Sequence, residues 1–236
     1  MAECAIAFGG NMGAPDETFQ SAARMLAEQG ISSQEMSSLY STAAMGADAG
    51  EQFTNAVMVG QTELAADQLL GLLHWTESQL GRERTIHWGP RVIDLDLIYL
   101  DQIVIDTPDL VVPHPAMWYR HFVLNPLAEL RPGWVHPILK ETIQTLKSCL
   151  SDLTLQLHLG PELTPQVSEL SNWFPDVVFT DDSTNWSFAQ ICLAEPTEER
   201  KQPRHESGRV IRVSSQNLES AVRNVIVATG RDSNLG

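Results

Sequence analysis

The chain has 236 residues, of which 43% are hydrophobic and 19% charged, enough for one large domain or for a medium domain with an appendage. Its formal net charge of −15 opposes general affinity for nucleic acid or anionic lipid, so small molecules are the expected partners. A monomer is the expected state, though not on the ground of charge. No apolar run approaches the roughly 18–20 residues that span a bilayer, and the opening "MAECAIAFGG" lacks the basic start of a signal peptide, so a cytoplasmic location is expected.

Ala5–Phe8 reads as a short strand running into the glycine turn "GGNMG". Asp16–Gln29 follows as a helix: Pro15 suits its first turn, Phe19, Ala22, Ala23 and Leu26 share a face, and Gly30 stops it. Extended segments near Ile31–Thr42 and Gln52–Gln61 flank the small-residue loop "AAMGADAG". Leu64–Leu80 is a second helix with Leu69, Leu72, Leu73, Thr76 and Leu80 on one side. A strand at Val92–Leu100 completes the order β-α-β-β-α-β. That order predicts an α+β fold with a ferredoxin-like core, helices packed on a mostly antiparallel sheet in α/β/α layers. Thr142–Leu150 and the end of "VVPHPAMWYRHFVLNPLAEL" read as further helices able to cover the second face.

The texture changes near residue 152. Residues 1–151 are expected to form one domain and 152–236 a partly folded C-terminal extension. Within the extension, Phe188–Ala194 and Arg209–Val213 read as strands. Leu218, Ala221, Val222, Val225 and Ile226 fall on one helical face, with Asn217 as its cap. Cys4, Cys149 and Cys192 are too scattered for a disulfide framework or a short-spaced zinc site, which leaves buried or inert thiols.

The stretch "RTIHWGPRVIDLDLIYL" is apolar enough for a buried strand, yet it carries Asp94 and Asp96 just after Arg91. Along a strand, residues i and i+2 share a face roughly 6.5–7 Å apart. Ile93, Leu95, Leu97 and Tyr99 can therefore enter the core while both carboxylates face the other way. Carboxylates that close repel unless a cation intervenes, and oxygen-only ligands favour a hard cation such as magnesium completed by phosphates and water. Of the eight basic residues up to position 151, Arg82, Arg84 and Arg91 lie beside the acids, where guanidinium groups can hold phosphate oxygens. An isolated D-x-D is ordinarily a wet strand face; the rigid "WGPR" entrance and the clustered arginines favour a metal–phosphate site.

These residues carry a resemblance. "GRERTIHWGPRVIDLDLIYL" and "VPHPAMWYRHFVLNPLAEL" are similar to 6-hydroxymethyl-7,8-dihydropterin pyrophosphokinases, as are "AIAFGGNMG", "SLYSTAAMG" and "FTNAVMVGQTEL", over residues 1 to about 150. The resemblance implies transfer of a diphosphoryl group from ATP to the pterin's hydroxymethyl oxygen in folate biosynthesis, with two Mg2+ ions. Asp94 and Asp96 match the metal ligands and, with Arg82 and Arg91, the catalytic set. Glu77, Arg82, Arg84, Trp88, Arg91, Ile98, His114 and Arg120 match ATP-binding positions. Thr42, Ala43, Met45, Phe53, Asn55, Trp88 and Phe122 match the pterin pocket; Asn55 can offer donor and acceptor to the heterocycle edge. Gly10, His74, His87, Val111 and Pro115 depart from the family's usual residues. A non-catalytic nucleotide- or pterin-binding protein on the same scaffold is the alternative, disfavoured by retention of both acids. The resemblance does not extend to the segment after residue 151.

Overall fold

A computed structural model describes residues 1–43, 52–82, 91–151, 156–159, 163–174, 177–180, 190–194, 210–212 and 218–229. Strand β1 (Ala2–Gly10) leads to helix α1 (Pro15–Glu28), then β2 (Ser32–Met36), β3 (Tyr40–Ala43) and β4 (Gln52–Thr62). Helix α2 (Ala66–Gln79) and β5 (Asp94–Leu100) follow. The sheet runs β2-β4-β1-β5, with β3 also on β4, and every pairing is antiparallel. Pro15 sits in the first turn of α1, where its missing N–H costs nothing. The extended segment expected from Ile31 to Thr42 divides in two. At the break the Val57 N–H donates to the Ser37 hydroxyl rather than to a backbone carbonyl, so a side chain interrupts the ladder.

Period-two alternation gives the sheet two buried faces. On one, Cys4, Ile6 and Phe8 of β1, Ala56 and Met58 of β4, and Leu95 and Leu97 of β5 pack with Phe19, Ala22 and Leu26 of α1 and Leu69 and Leu73 of α2. The Phe8 and Phe19 rings meet edge to face at 5.5 Å. Burial pushes the Cys4 thiol up to about 11, so it stays protonated and inert, as expected of this residue. On the other face, Ala5, Val57, Val59, Ile98 and Tyr99 pack with Val123, Leu124 and Leu127 of α3 (His121–Leu130) and Leu146 of α4 (Ile143–Ser151).

Tyr99 departs from its expected face. The pairing of β5 with β1 slips so that Ala5 faces Tyr99 while Ile6 faces Leu97, leaving Ile98 as an extra residue. The bulge sends Ile98 and Tyr99 to the same side. Tyr99 there stacks on Trp134 at 4.5 Å instead of joining Leu95 and Leu97. Between β5 and α3, the short strands β6 (Ile105–Asp106) and β7 (Val111–Val112) form a hairpin the sequence pattern did not announce.

The C-terminal segment carries a second sheet. Strands β8 (Gln156–Leu159), β9 (Val178–Thr180), β10 (Gln190–Ala194) and β11 (Val210–Arg212) pair in parallel in the order β11-β10-β8-β9. Helices α5 (Val167–Trp173) and α6 (Leu218–Ala228) accompany it. The strands expected at Phe188–Ala194 and Arg209–Val213 correspond to β10 and β11, though Phe188, Ala189, Arg209, Val213 and the proposed cap Asn217 lie outside the described residues. Leu157, Leu159, Leu170, Leu193, Leu218, Val222, Val225 and Ile226 share one cluster with Leu124 and Leu127 of α3. Each fully buried side chain of this size contributes about 1.5–3 kcal/mol, enough to dock helices too short to persist alone. Leu157→Ala is therefore expected to cost roughly 2–5 kcal/mol. Urea unfolding should show that loss in one transition shared with the N-terminal sheet; a separate early transition for the C-terminal segment would contradict a common core.

Candidate active site

Register assembles the site on the α3 side of the sheet. Gly9 of β1 faces Asn55 of β4 on one side and Asp94 of β5 on the other, and Ala7 likewise stands between Val57 and Asp96. Asp94 and Asp96 thus share a face, as their spacing predicts. The central strand contributes only hydrogen and methyl side chains here. A Cβ built on Gly9 would lie 3.6 Å from Asn55 Oδ1, 3.8 Å from Asp94 Cβ and 3.9 Å from the Phe53 ring, so three candidate residues converge over one glycine.

At the β5 end, the two oxygens of Asp94 are divided between arginines. Arg82 Nη1 lies 2.5 Å from Oδ1, and Arg91 Nη1 donates to Oδ2 at 2.6 Å. The same Arg82 nitrogen bonds Glu77 Oε1, whose side chain is 2% exposed. Glu77 Oε1 also accepts the Leu95 N–H at 2.8 Å, between the two acids. Glu77 thereby stands behind Arg82 as its support and ties α2 to β5. Asn11, from the glycine turn, accepts the Arg91 N–H at 2.8 Å and donates its own N–H to the Arg91 carbonyl at 3.0 Å. Gly10 permits that approach: a Cβ there would meet the Val92 carbonyl oxygen at 2.7 Å.

At the β4 end, Asn55 is buried and its amide Nδ2 donates to Thr42 Oγ1 at 2.8 Å. Thr42 faces Phe53 across the β3–β4 ladder. Strand β3 is held to α3 by Glu129, which accepts the Ser38 N–H at 2.9 Å, the Ser38 hydroxyl at 3.0 Å and the Tyr40 hydroxyl at 2.9 Å. The sequence patterns gave Glu129 no role, since its partners lie 89 and 91 positions away.

The third wall comes from the segment leading into α3. The His114 N–H donates to the Ile98 carbonyl at 3.0 Å, and His114 Nδ1 accepts the Ala116 N–H at 3.1 Å, which leaves the ring proton on Nε2. Burial, then the nearby Arg120 charge, pulls His114 from the usual histidine value of 6.5 to about 3, with Asp94 opposing. The Arg120 guanidinium lies 5.5 Å from the centre of the Phe122 ring, and its Nε is buried with no hydrogen-bond partner among the described residues. Ile98 is 1% exposed and packs in the core, so any nucleotide contact would use its backbone. Ala43 ends β3. Met45, Arg84 and Trp88 lie outside the described residues.

The histidine gives a pH test. Below 6.5 the unfolded histidine takes up a proton that native His114 accepts only near 3, so its contribution is complete above 6.5 and is lost as pH falls. The stability difference between the wild type and His114→Asn should shrink from pH 7 to pH 4 in denaturant titrations. A difference that grows on acidification would refute the assignment.

The family model for 7,8-dihydro-6-hydroxymethylpterin-pyrophosphokinase (HPPK) matches residues 5–132. A 2-amino-4-hydroxy-6-hydroxymethyldihydropteridine pyrophosphokinase of Synechocystis sp. is 38% identical over 167 residues, covering 68% of this chain and 85% of that protein. The folic acid synthesis protein FOL1 of Dictyostelium discoideum is 35% identical over 142 residues, covering 60% of this chain but only 22% of the larger protein. Plasmodium falciparum HPPK-DHPS superposes with a TM-score of 0.51 at 11% identity, covering 82% of this chain and 64% of that one, a likeness of fold. The chain belongs to the 7,8-dihydro-6-hydroxymethylpterin-pyrophosphokinase family.

Proposed function

We propose that the chain transfers the β,γ-diphosphoryl group of ATP to the hydroxymethyl oxygen of 6-hydroxymethyl-7,8-dihydropterin, a step of folate biosynthesis. The observation that carries the proposal is the row Asn55–Gly9–Asp94, in which the amide proposed for the heterocycle and the acid proposed for the phosphate side share one face with only a glycine between them. The scaffold proposed is a ferredoxin-like domain over residues 1–151, supported by the order β2-β4-β1-β5, with 152–236 as a C-terminal extension.

Asp94 and Asp96 fit Mg2+. They are hard oxygen donors on one face, and no group of three His, Cys, Asp or Glu side chains gathers among the described residues. A cation completed by phosphate oxygens and water needs no fuller protein cage. When bound, two such ions would neutralise the triphosphate and favour in-line displacement at the β-phosphorus. Arg82 and Arg91, which neutralise Asp94 in this structure, exchange that carboxylate for phosphate oxygens when the nucleotide enters. Neutral His114 offers its Nε2–H to a phosphate oxygen, and the unpaired Nε–H of Arg120 supplies another donor. Glu77 acts through Arg82.

On the acceptor side, commitment of Asn55 Nδ2 to Thr42 leaves the carbonyl oxygen toward Gly9 for the N–H groups of the pterin edge. Phe53 and Phe122 supply flat apolar surface, with Thr42, Ala43, Met45 and Trp88 completing the proposed pocket. In the reaction the hydroxymethyl oxygen forms a bond to the β-phosphorus as the bond to the oxygen bridging the α- and β-phosphorus breaks. That oxygen leaves with AMP and the hydroxyl proton passes to solvent. Holding both reactants in line and screening developing charge accounts for the acceleration without a dedicated base.

The test is AMP release from ATP in the presence of the dihydropterin and Mg2+. Asp94→Asn and Asp96→Asn should each lower kcat by roughly 100-fold or more, a loss comparable to removal of one transition-state charge contact. Their circular dichroism and unfolding midpoint should stay near wild type. Undiminished turnover in either variant would exclude the role assigned to these acids.

A further inference from the structure

The C-terminal helix reaches the candidate site. His121 Nδ1 lies 2.9 Å from the carbonyl oxygen of Ala228, the last residue of α6. Carbonyls in the final turn of a helix find no N–H within it, so the imidazole fills an acceptor that α6 cannot satisfy itself. His121 stands between Arg120 and Phe122 in sequence, and its ring meets the Phe122 ring edge to face at 5.7 Å and 83°. One imidazole therefore touches both α6 and the aromatic residue proposed for the pterin.

The first turn of α3 has reason to need such a hold. Pro126 lies inside the helix and has no N–H to give the Phe122 carbonyl four residues earlier. The turn keeps its start through the Arg120 carbonyl, which accepts the N–H groups of Val123 at 3.0 Å and Leu124 at 2.9 Å. Below it, Val222, Val225 and Ile226 of α6 are buried in the same cluster as Val123 and Leu124. Helix α6 thus shares a core with α3, and the Ala228–His121 bond joins the two helices directly.

We propose that His121 is a positioning residue, through which the C-terminal helix holds the first turn of α3 so that Arg120 and Phe122 meet the substrates. The inference rests on the proposed function for the roles of Arg120 and Phe122, and it assigns the C-terminal segment a part in the site. Coupling of this kind is reciprocal: if α6 orders the turn, substrates that order the turn also steady α6.

The experiment compares His121→Phe, which keeps a ring and removes the donor, with His121→Asn, whose amide N–H falls near the position of Nδ1. Loss of one hydrogen bond should raise the KM for ATP or for the pterin roughly 5-fold, with kcat changed less. His121→Asn should recover most of that loss. Hydrogen exchange should quicken at residues 120–125 and 218–229 in His121→Phe, and a non-hydrolysable ATP analogue with pterin should slow α6 exchange in the wild type only. If His121→Phe does not fold, His121→Gln, whose amide sits nearer the Nε2 position, takes its place. Wild-type KM and exchange in His121→Phe, or equal losses in both variants, would overturn the inference. A wild type that releases no AMP would instead overturn the proposed function, and the exchange measurements would still decide whether α6 holds the turn.

Discussion

The register in which β4, β1 and β5 pair is the constraint on which the site depends. Because Gly9 faces both Asn55 and Asp94, the outer strands deliver opposite kinds of chemistry to the two sides of a central strand that contributes almost no bulk. A one-residue slip would turn either residue to the α1–α2 side, since side chains alternate strictly along a strand. The two adjacent glycines serve separate ends. A methyl on Gly9 would stand at ordinary contact distance from its neighbours, whereas one on Gly10 would strike the Val92 carbonyl oxygen at 2.7 Å. The first keeps the floor low, and the second lets the turn carrying Asn11 close on Arg91.

Charge is balanced beside that floor by a chain of ion pairs. Asp94, whose side chain is 26% exposed, is neutralised by the two guanidinium groups of Arg82 and Arg91. Glu77, almost wholly buried, pairs with Arg82 from behind and accepts the backbone N–H between the two acids. His114 is kept neutral beside Arg120, which spares this corner a second positive charge and presents a donor instead. Asp94, Arg82 and Arg91 are thus paired with one another, while the Arg120 Nε stands buried without a hydrogen-bond partner among the described residues.

Much of this was legible in the sequence because it depends on local period and spacing. The D-x-D pair, the Leu-rich stripe of α2 and the Pro15 start of α1 are short-range patterns, and the element order followed from them. The face of Tyr99 was not legible, because a bulge is a property of two strands and only one was being read. Nor was the clamp of Glu129 on Ser38 and Tyr40, nor the bond between His121 and Ala228, which spans 107 positions. The C-terminal sheet was half visible. β10 and β11 carry apolar runs, but β8, α5 and β9 sit among prolines and acids whose local preferences yield to tertiary packing.

The bulge at Ile98 also determines where this strand could absorb a change in length. Loss of Ile98 would remove the extra residue and restore regular alternation, leaving Asp94 and Asp96 on the side they now occupy. Loss of Leu95 or Leu97 would instead invert part of the strand and turn an acid toward the opposite, apolar layer. A one-residue deletion in β5 is thus absorbed best at its far end, beyond the acids, where the spare residue acts as a buffer for the reading frame of side chains.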